Sequence, residues 1–140
     1  MNHRPDPHPA EVMDLLERKT PETRIAVVGA SNNPEKYGNI IVKNLLGKGY
    51  TVLPINPKET EIAGVPAFKS LDEAEKPIHI IDVVTPAPVT KKILNQVAEL
   101  GLDNVWLQEG SFDEEILDTL ASYPFKTVYD ACIMVVSNYD

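Results

Sequence analysis

Short runs of apolar residues alternate along the chain with segments whose apolar residues recur at helical spacing. Five runs predict strands, at residues 25–28, 50–55, 78–84, 104–107 and 126–130. The first run is rich in β-branched residues, apolar throughout and followed by a glycine. Such a run is typical of a strand that is buried on both faces, as in a parallel sheet.

Helices are predicted around these strands wherever apolar residues lie three or four positions apart. The apolar stripes are Val12, Leu15 and Leu16; Ile40, Ile41, Leu45 and Leu46; Val89, Ile93, Leu94 and Val97; and Ile116, Leu117 and Leu120. Strands that alternate with helices require right-handed crossover connections. We therefore predict an α/β fold, a single doubly wound Rossmann-like domain with a mainly parallel five-stranded sheet.

Two parts of the chain are less regular. Residues 57–77 predict only a short strand at 65–68 and a helical turn at 71–75. Residues 1–20 are predicted to be an N-terminal arm that ends in a short helix, and residues 21–140 to be the Rossmann-like domain.

Composition and charge narrow the class of protein. The 140 residues, with 43% hydrophobic and 24% charged, suit one globular domain with its own core. A net charge of -8 disfavours a nucleic-acid partner. The sequence lacks both the ~18–20 apolar residues of a membrane span and an apolar signal core, so we expect a cytoplasmic protein without a membrane partner.

Cysteine and histidine are too sparse for an internal disulfide or a structural zinc site, since the chain has one cysteine and three histidines. We interpret Cys132 as a small buried hydrophobe rather than a reactive thiol. His79 begins the third predicted strand, opposite the ligand edge, and is interpreted as structural. We expect no metal site and no catalytic residue.

Ligands of open α/β sheets bind beyond the carboxyl ends of the strands. The residues that follow the first strand include Gly29, Ala30 and Ser31, and then Lys36, Tyr37 and Gly38 at the start of a helix. The glycines permit a tight turn and a close backbone approach, and the first N–H groups of a helix attract anions. The loop therefore fits a phosphate, with a ligand-free structural loop as the alternative. We expect Gly38→Val to impair phosphate binding more than folding.

The loop after the second strand carries Asn56, Pro57 and Lys58. A NAD-binding domain needs an acidic residue here for the ribose hydroxyls, and this loop has none. Lys58 instead suits an added phosphate on the ribose, which favours NADP or coenzyme A. The alternative for Lys58 is an exposed lysine in a proline-rich turn.

The next two loops bring rigid and polar groups to the same edge of the sheet. Thr85, Pro86, Ala87 and Val89 follow the third strand. Two prolines stiffen this turn, which either packs against an adenine ring or only makes the loop rigid. Gln108, Glu109 and Gly110 follow the fourth strand.

Taken together, these segments resemble the small stand-alone coenzyme A-binding proteins of bacteria and archaea. The Rossmann-like domain of those proteins is similar to the N-terminal domain of the α subunit of succinyl-CoA synthetase and of ADP-forming acyl-CoA synthetases. The likeness covers residues 24–132, and is carried by residues 29–31, 36–38, 49–50, 54–58, 64, 82–84, 105–110, 130 and 132. Family members often follow the cysteine with a proline and a basic residue, where this chain has Ile133 and Met134.

The resemblance implies a role for each loop. It implies that residues 29–38 hold the CoA phosphates, and that Asn56 and Lys58 meet the 3′-phosphate of the ribose. It further implies that residues 85–87 lie along the adenosine and residues 108–110 border the pantetheine. The expected binding residues are Gly29, Ala30, Ser31, Lys36, Tyr37, Gly38, Asn56, Pro57, Lys58, Thr85, Pro86, Ala87, Val89, Gln108, Glu109 and Gly110.

The function we expect from the resemblance is non-catalytic binding of coenzyme A or an acyl-CoA, as a carrier, a sensor or a regulatory subunit. The synthetases use a phosphorylated histidine on a further domain, and we expect none of the three histidines of this sequence to replace it. The alternatives are an NADP-dependent oxidoreductase and a redox-responsive nucleotide-binding protein that uses Cys132. A synthetase-like subunit is the expected partner, or a second copy of the chain, bound through exposed apolar residues at 133–136.

Overall fold

The computed structural model describes residues 9–129 and 131–138. Its strands are β1 (Arg24–Val28), β2 (Thr51–Ile55), β3 (Glu61–Ile62), β4 (Val65–Pro66), β5 (Ile80–Val83), β6 (Asn104–Leu107) and β7 (Lys126–Val128). Its α-helices are α1 (Ala10–Glu17), α2 (Tyr37–Gly47), α3 (Ala87–Leu100), α4 (Glu114–Thr119) and α5 (Ile133–Val136), and Leu71–Glu73 and Leu120–Ser122 are 3-10 turns. The alternation of strand and helix confirms the predicted α/β fold.

The central sheet has five strands in the order β2-β1-β5-β6-β7, and neighbouring strands are parallel. The chain moves outward from β1 to β2, returns to β5 on the other side of β1, and then continues to β7. The strand order therefore reverses between β1 and β5. In doubly wound sheets a ligand binds in the crevice at the carboxyl ends of the strands, where the order reverses. The topology therefore predicts a ligand site at the loops after β1 and β5.

Helices cover both faces of the sheet, and each face has its own apolar core. On one face α3 and α4 pack on β-strand residues such as Ala26, Ile81 and Val105. On the other face α1, α2 and α5 pack on Ile25, Ile80 and their neighbours. The sheet is buried between two layers of helices, and this burial explains why its strands are apolar on both faces. The predicted division at residue 20 stays a prediction, and α1 contributes the buried residues Val12 and Leu16 to the second core.

The irregular segment between β2 and β5 holds the antiparallel hairpin of β3 and β4. Ala63 and Gly64 form its turn with positive φ angles of 52° and 82°. The predicted strand at 65–68 is only partly correct, because Phe68 leaves the hairpin and forms a parallel bridge with Ile55 at the end of β2. This bridge brings the residues after Phe68 to the carboxyl end of β2.

Differences from the predicted elements lie at their ends. Strand β5 is shorter than residues 78–84, and β7 ends at Val128, while Asp130 lies outside the described residues. The expectation that residues 133–136 are exposed is wrong for Ile133, which is fully buried in the second core. The reason is that these residues form α5, which packs against α2 with Val135 facing outward.

Within the described ranges, no helix combines the length and apolar character needed to span a membrane.

Candidate ligand-binding site

The sixteen residues expected to bind a ligand all lie in loops or helix starts beyond the carboxyl ends of β1, β2, β5 and β6. Parallel pairing of these four strands places the loops along one edge of the sheet. Asn56 and Thr85 share a cavity with Gly29, and Tyr37 shares another with Gln108 and Glu109. The side chains of Lys36, Lys58 and Glu109 are exposed at this edge.

The loop after β1 is pressed against the start of α2 at two glycines. Gly29 has a φ of +97°, and a Cβ there would lie 2.8 Å from Val84 Cγ2. A Cβ on Gly38 would lie 2.1 Å from the carbonyl oxygen of Gly29 and 3.1 Å from Ala30 Cα. Real Cβ atoms do not approach backbone atoms so closely. The added carbons of Gly38→Val would therefore push α2 away from β1, so this substitution also disturbs the fold. The expected larger loss of phosphate binding stays a prediction.

Hydrogen bonds hold the rest of this loop in one shape. The backbone N–H of Asn33 donates to Ser31 Oγ at 3.0 Å, and the backbone N–H of Glu35 donates to Asn33 Oδ1 at 3.0 Å. Asn39, buried in α2, donates from Nδ2 to the Ser31 carbonyl at 2.9 Å. Lys36 precedes the helix, and no side chain of the described residues caps its first N–H groups. The loop is thus preformed beside a helix start that can take a phosphate.

Asn56 joins the loop after β2 to the loop after β1. Its Nδ2 donates to the Ala30 carbonyl at 2.9 Å, and its Oδ1 accepts from the backbone N–H of Lys58 at 2.8 Å. Asn56 therefore organises both loops, a role that an aspartate could not fill because a carboxylate has no hydrogen to donate.

A cavity of about 230 Å³ opens between these loops and α3, and we call it the α3 cavity. Its walls are mainly apolar, and its lining includes one cation, Lys69. Lys69 was not among the residues predicted to bind a ligand. Thr85 at the end of β5 is held by a hydrogen bond of 2.9 Å between its Oγ1 and Thr90 Oγ1. The lining residues are Val28, Gly29, Ile55, Asn56, Pro57, Lys69, Ser70, Leu71, Thr85, Val89, Ile93 and Gln96.

A second cavity, of about 440 Å³, borders the starts of α2 and α5, and we call it the α5 cavity. It combines aromatic walls with a polar floor. The rings of Phe112 and Tyr129 meet edge to face, with centroids 6.1 Å apart and planes at 74°. The lining residues are Tyr37, Gln108, Glu109, Phe112, Tyr129, Ala131 and Cys132.

Three polar side chains meet at the floor of the α5 cavity. Tyr37 Oη lies 2.9 Å from Cys132 Sγ, and Gln108 Nε2 donates to Tyr37 Oη at 3.3 Å and to Cys132 Sγ at 3.5 Å. Gln108 is fully buried, and its Oε1 accepts from the backbone N–H of Ile133 at 3.1 Å. The carboxamide of Gln108 therefore links the start of α2 to the start of α5.

The contacts within this cluster alter the ionisation of its members. Burial and the hydrogen bond to Cys132 raise the pKa of Tyr37 to about 12, so its phenol stays protonated and can donate. Burial opposes ionisation of Cys132, but hydrogen bonds, the largest of them from Tyr37, outweigh it and lower the pKa of the thiol from 9.0. The interpretation of Cys132 as a buried hydrophobe is wrong, because the thiol is partly exposed, hydrogen-bonded and part of a cavity wall.

Asp82 lies beneath this cluster, in the middle of the central strand. It pairs with Trp106, two residues before Gln108, so its side chain points to the same face of the sheet as Gln108. Asp82 is fully buried, and neither carboxyl oxygen has a hydrogen-bond partner among the described residues. Burial, and after it the nearby Cys132 thiol, raise the pKa of Asp82 well above 3.8. The raised pKa favours the protonated, uncharged form of this carboxyl.

Comparison of the sequence with protein families identifies one that spans most of the chain. The profile of the CoA binding domain matches residues 23–138. The uncharacterized protein YneT of Bacillus subtilis (strain 168) is 32% identical over 130 residues, which cover 93% of this chain and 94% of that protein. The α subunit of ADP-forming acetate–CoA ligase II of Pyrococcus furiosus is 30% identical over 126 residues. That match covers 82% of this chain and only 28% of the ligase subunit.

Solved structures of the same architecture agree with the sequence comparison. A conserved hypothetical protein from Pyrococcus furiosus has a TM-score of 0.77 and 42% identity over 81% of this chain and 97% of its own. A hypothetical protein from Pyrococcus horikoshii OT3 has a TM-score of 0.81 and 27% identity over 99% of this chain and 96% of its own.

Proposed function

This chain belongs to the CoA-binding domain family, and on that premise we propose that it binds coenzyme A or an acyl-CoA at the carboxyl edge of its sheet. The predicted resemblance to the α subunits of CoA ligases is confirmed by the ligase relative. Coenzyme A consists of an adenosine with a 3′-phosphate, a diphosphate, and a pantetheine arm that ends in a thiol. A site for it must accommodate all three parts.

The observation that carries the proposal is that the loop at residues 29–38 borders two cavities. The α3 cavity shares Gly29 with this loop, and the α5 cavity shares Tyr37 with it. A diphosphate held at the start of α2 would therefore have space on both sides, one for each end of the molecule. This arrangement fits a long ligand with a charged centre better than it fits a compact nucleotide.

We assign the adenosine to the α3 cavity because its lining suits a purine and an added phosphate. Val89 and Ile93 offer apolar contact, and Asn56 lies in the cavity wall. Lys69 lines the cavity, and Lys58 follows Asn56 in the same loop. Either ammonium group would favour a phosphate on the ribose by a charge-assisted hydrogen bond.

We assign the pantetheine to the α5 cavity, where Gln108 and Glu109 border its path. The aromatic pair of Phe112 and Tyr129 would face the end of the arm and any acyl group on it. Gln108 already uses both ends of its carboxamide within the protein, so it shapes the wall rather than offering a free donor.

The role that we propose is binding without catalysis, as a carrier, a sensor or a regulatory subunit that works with a synthetase-like partner. The region shared with the acetate–CoA ligase subunit is 28% of that subunit, so the ligase has most of its chain outside this domain. The binding residues that we propose are glycines, amides, hydroxyls, lysines and apolar groups, with the carboxylate of Glu109.

Thermal unfolding of the purified, reduced protein with a series of ligands tests the proposal. We expect CoA and acetyl-CoA, at about 100 times their dissociation constants, to add about 2.7 kcal/mol, which raises the melting temperature by several degrees. At the concentration used for CoA, we expect a smaller rise with 3′-dephospho-CoA, because its dissociation constant is larger, and none with NAD. A rise with NADP alone would contradict the proposal and favour an oxidoreductase.

A further inference from the structure

The thiol of Cys132 has a setting that simple CoA binding does not require. It lies in the wall of the α5 cavity, where the proposed function places the thiol end of the pantetheine arm. It is also the single cysteine of the chain, so it has no internal disulfide partner. Any disulfide that it forms must join it to another molecule.

The protein holds this thiol in a fixed position from both sides. Trp106 Nε1 donates to the carbonyl of Ala131 at 2.9 Å, and Gln108 Oε1 accepts from the N–H of Ile133 at 3.1 Å. The two residues that flank Cys132 are thus hydrogen-bonded to Trp106 in β6 and to Gln108 just after it. Tyr37 Oη lies against the sulfur from a third direction, at 2.9 Å. A thiol on a mobile tail would not be held in this way.

Asp82 provides a second, independent observation beside this cluster. It is a fully buried carboxyl group with neither oxygen hydrogen-bonded among the described residues. A buried polar group without a partner is uncommon, and redox or catalytic sites are one recognised reason for it. The register of β5 and β6 places the side chain of Asp82 on the same face of the sheet as Gln108, which contacts both Tyr37 and Cys132.

We propose that Cys132 forms a mixed disulfide with the thiol of bound coenzyme A, by exchange with the symmetrical disulfide of CoA. This inference rests on the proposed function and adds a covalent, redox-dependent state to it. Such a state would let the protein retain CoA under oxidising conditions and release it under reducing ones.

The exchange balances without any further oxidant. The Cys132 thiolate attacks one sulfur of CoA disulfide, a bond forms between Sγ and that sulfur, and the bond between the two CoA sulfurs breaks. The second CoA leaves as a thiolate and takes a proton from solvent. Cys132 is oxidised, and one half of the CoA disulfide is reduced. Binding of the CoA portion places the disulfide beside the thiol, and this proximity distinguishes the reaction from random oxidation.

Intact-mass measurement on the reduced, desalted protein tests the inference. With CoA disulfide we expect the mass to increase by one CoA less two hydrogen atoms, and dithiothreitol to reverse the increase. We expect modification by CoA disulfide to be at least about tenfold faster than by glutathione disulfide at equal concentration, because only the former is bound. Acetyl-CoA, which has no free thiol and would occupy the same cavity, should slow the reaction with CoA disulfide.

Two treatments assign the reaction to Cys132. Cys132→Ser should abolish the mass increase, and so should alkylation of the wild-type thiol with iodoacetamide, which does not depend on how the variant folds. Equal rates with the two disulfides, or no effect of acetyl-CoA, would overturn the inference. Thermal stabilisation of the wild-type protein by acetyl-CoA is the separate readout of the proposed function. Stabilisation without disulfide formation refutes the covalent state alone, and absence of both refutes CoA binding as well.

Discussion

Gly38 lies so close to Gly29 that a Cβ on it would approach the Gly29 carbonyl oxygen to 2.1 Å. The contact joins the first turn of α2 to the end of β1, and it brings the helix start directly against the loop proposed to hold phosphate. One glycine therefore serves two purposes, since the same close approach packs the helix on the sheet and places its first N–H groups at the ligand edge.

Replacing Gly38 by alanine should lower the free energy of unfolding by at least about 2 kcal/mol, because the methyl group meets backbone rather than a side chain that can move. Gly47 at the end of the same helix is the matched control, as a Cβ there meets nothing within 4 Å. Gly47→Ala should be neutral or stabilising by up to about 1 kcal/mol. Urea denaturation of both variants checks the prediction, and equal stability of the two would show that the contact can relax.

Lys69 and Lys58 differ in position, and this difference predicts different effects on CoA affinity. Both side chains are exposed, but Lys69 lines the α3 cavity and Lys58 does not. We expect Lys69→Ala to weaken CoA binding by roughly 10- to 100-fold, from the loss of one charge-assisted hydrogen bond of about 1.5–3 kcal/mol. Lys58→Ala should have a smaller effect in the same direction. In both variants the affinity for 3′-dephospho-CoA should fall less.

Calorimetric titration of each variant with the two ligands measures these losses. Lys126→Ala is the control, since Lys126 is an exposed lysine at the start of β7, on the opposite edge of the sheet. It changes the net charge by the same amount without approaching the proposed site. If both ligands lose equal affinity in Lys69→Ala, the 3′-phosphate is not held by that lysine.

The sequence allowed the edge of the sheet to be predicted, because apolar runs locate the strands and the residues after parallel strands share one edge. It did not predict Lys69, which is brought to that edge by the bridge between Ile55 and Phe68. This bridge lies in a segment without clear periodicity. The only local signal was a short apolar run that ends immediately before the lysine.

The surroundings of Cys132 were not predictable for a different reason. Its partners Tyr37 and Gln108 are 95 and 24 residues away along the chain. The face of the sheet on which Gln108 lies could have been predicted, because side chains alternate along β6. The position of α5 could not have been predicted, because a four-residue helix is too short to leave a periodic pattern.

Asp82 predicts a specific dependence of stability on pH. Burial raises its pKa in the folded protein above 3.8, the ordinary value expected in the unfolded chain. Its contribution to stability is therefore fully present below that ordinary pKa and is lost as the pH rises toward the raised value. Relative to the wild type, Asp82→Asn should gain stability with rising pH above about 4, by up to about 1.4 kcal/mol per pH unit.

Urea denaturation at a series of pH values from 4 to neutrality measures the free energy of unfolding of Asp82→Asn and of the wild type. The difference between the two free energies should change with pH as stated above. Taking the difference removes the contribution of the other carboxylates, which the two proteins share. A constant difference across the series would mean that Asp82 is ionised in the folded protein, with a partner that the described residues do not provide.

Removing the hydroxyl of Tyr37 should make the Cys132 thiol a weaker acid. Burial raises the pKa of that thiol, and the hydrogen bond from Tyr37 is the largest of the contacts that lower it. In Tyr37→Phe the opposing contact is lost and burial remains, so the pKa should rise and alkylation by iodoacetamide near neutral pH should slow. The alkylation rate, plotted against pH, should keep the same plateau at high pH, and the midpoint of its rise should shift to higher pH.

Tyr123→Phe, which removes a remote hydroxyl bonded to Asn95, is the control and should leave this midpoint unchanged. An unchanged midpoint in Tyr37→Phe would show that the backbone N–H groups of Met134 and Val135 are enough to stabilise the thiolate.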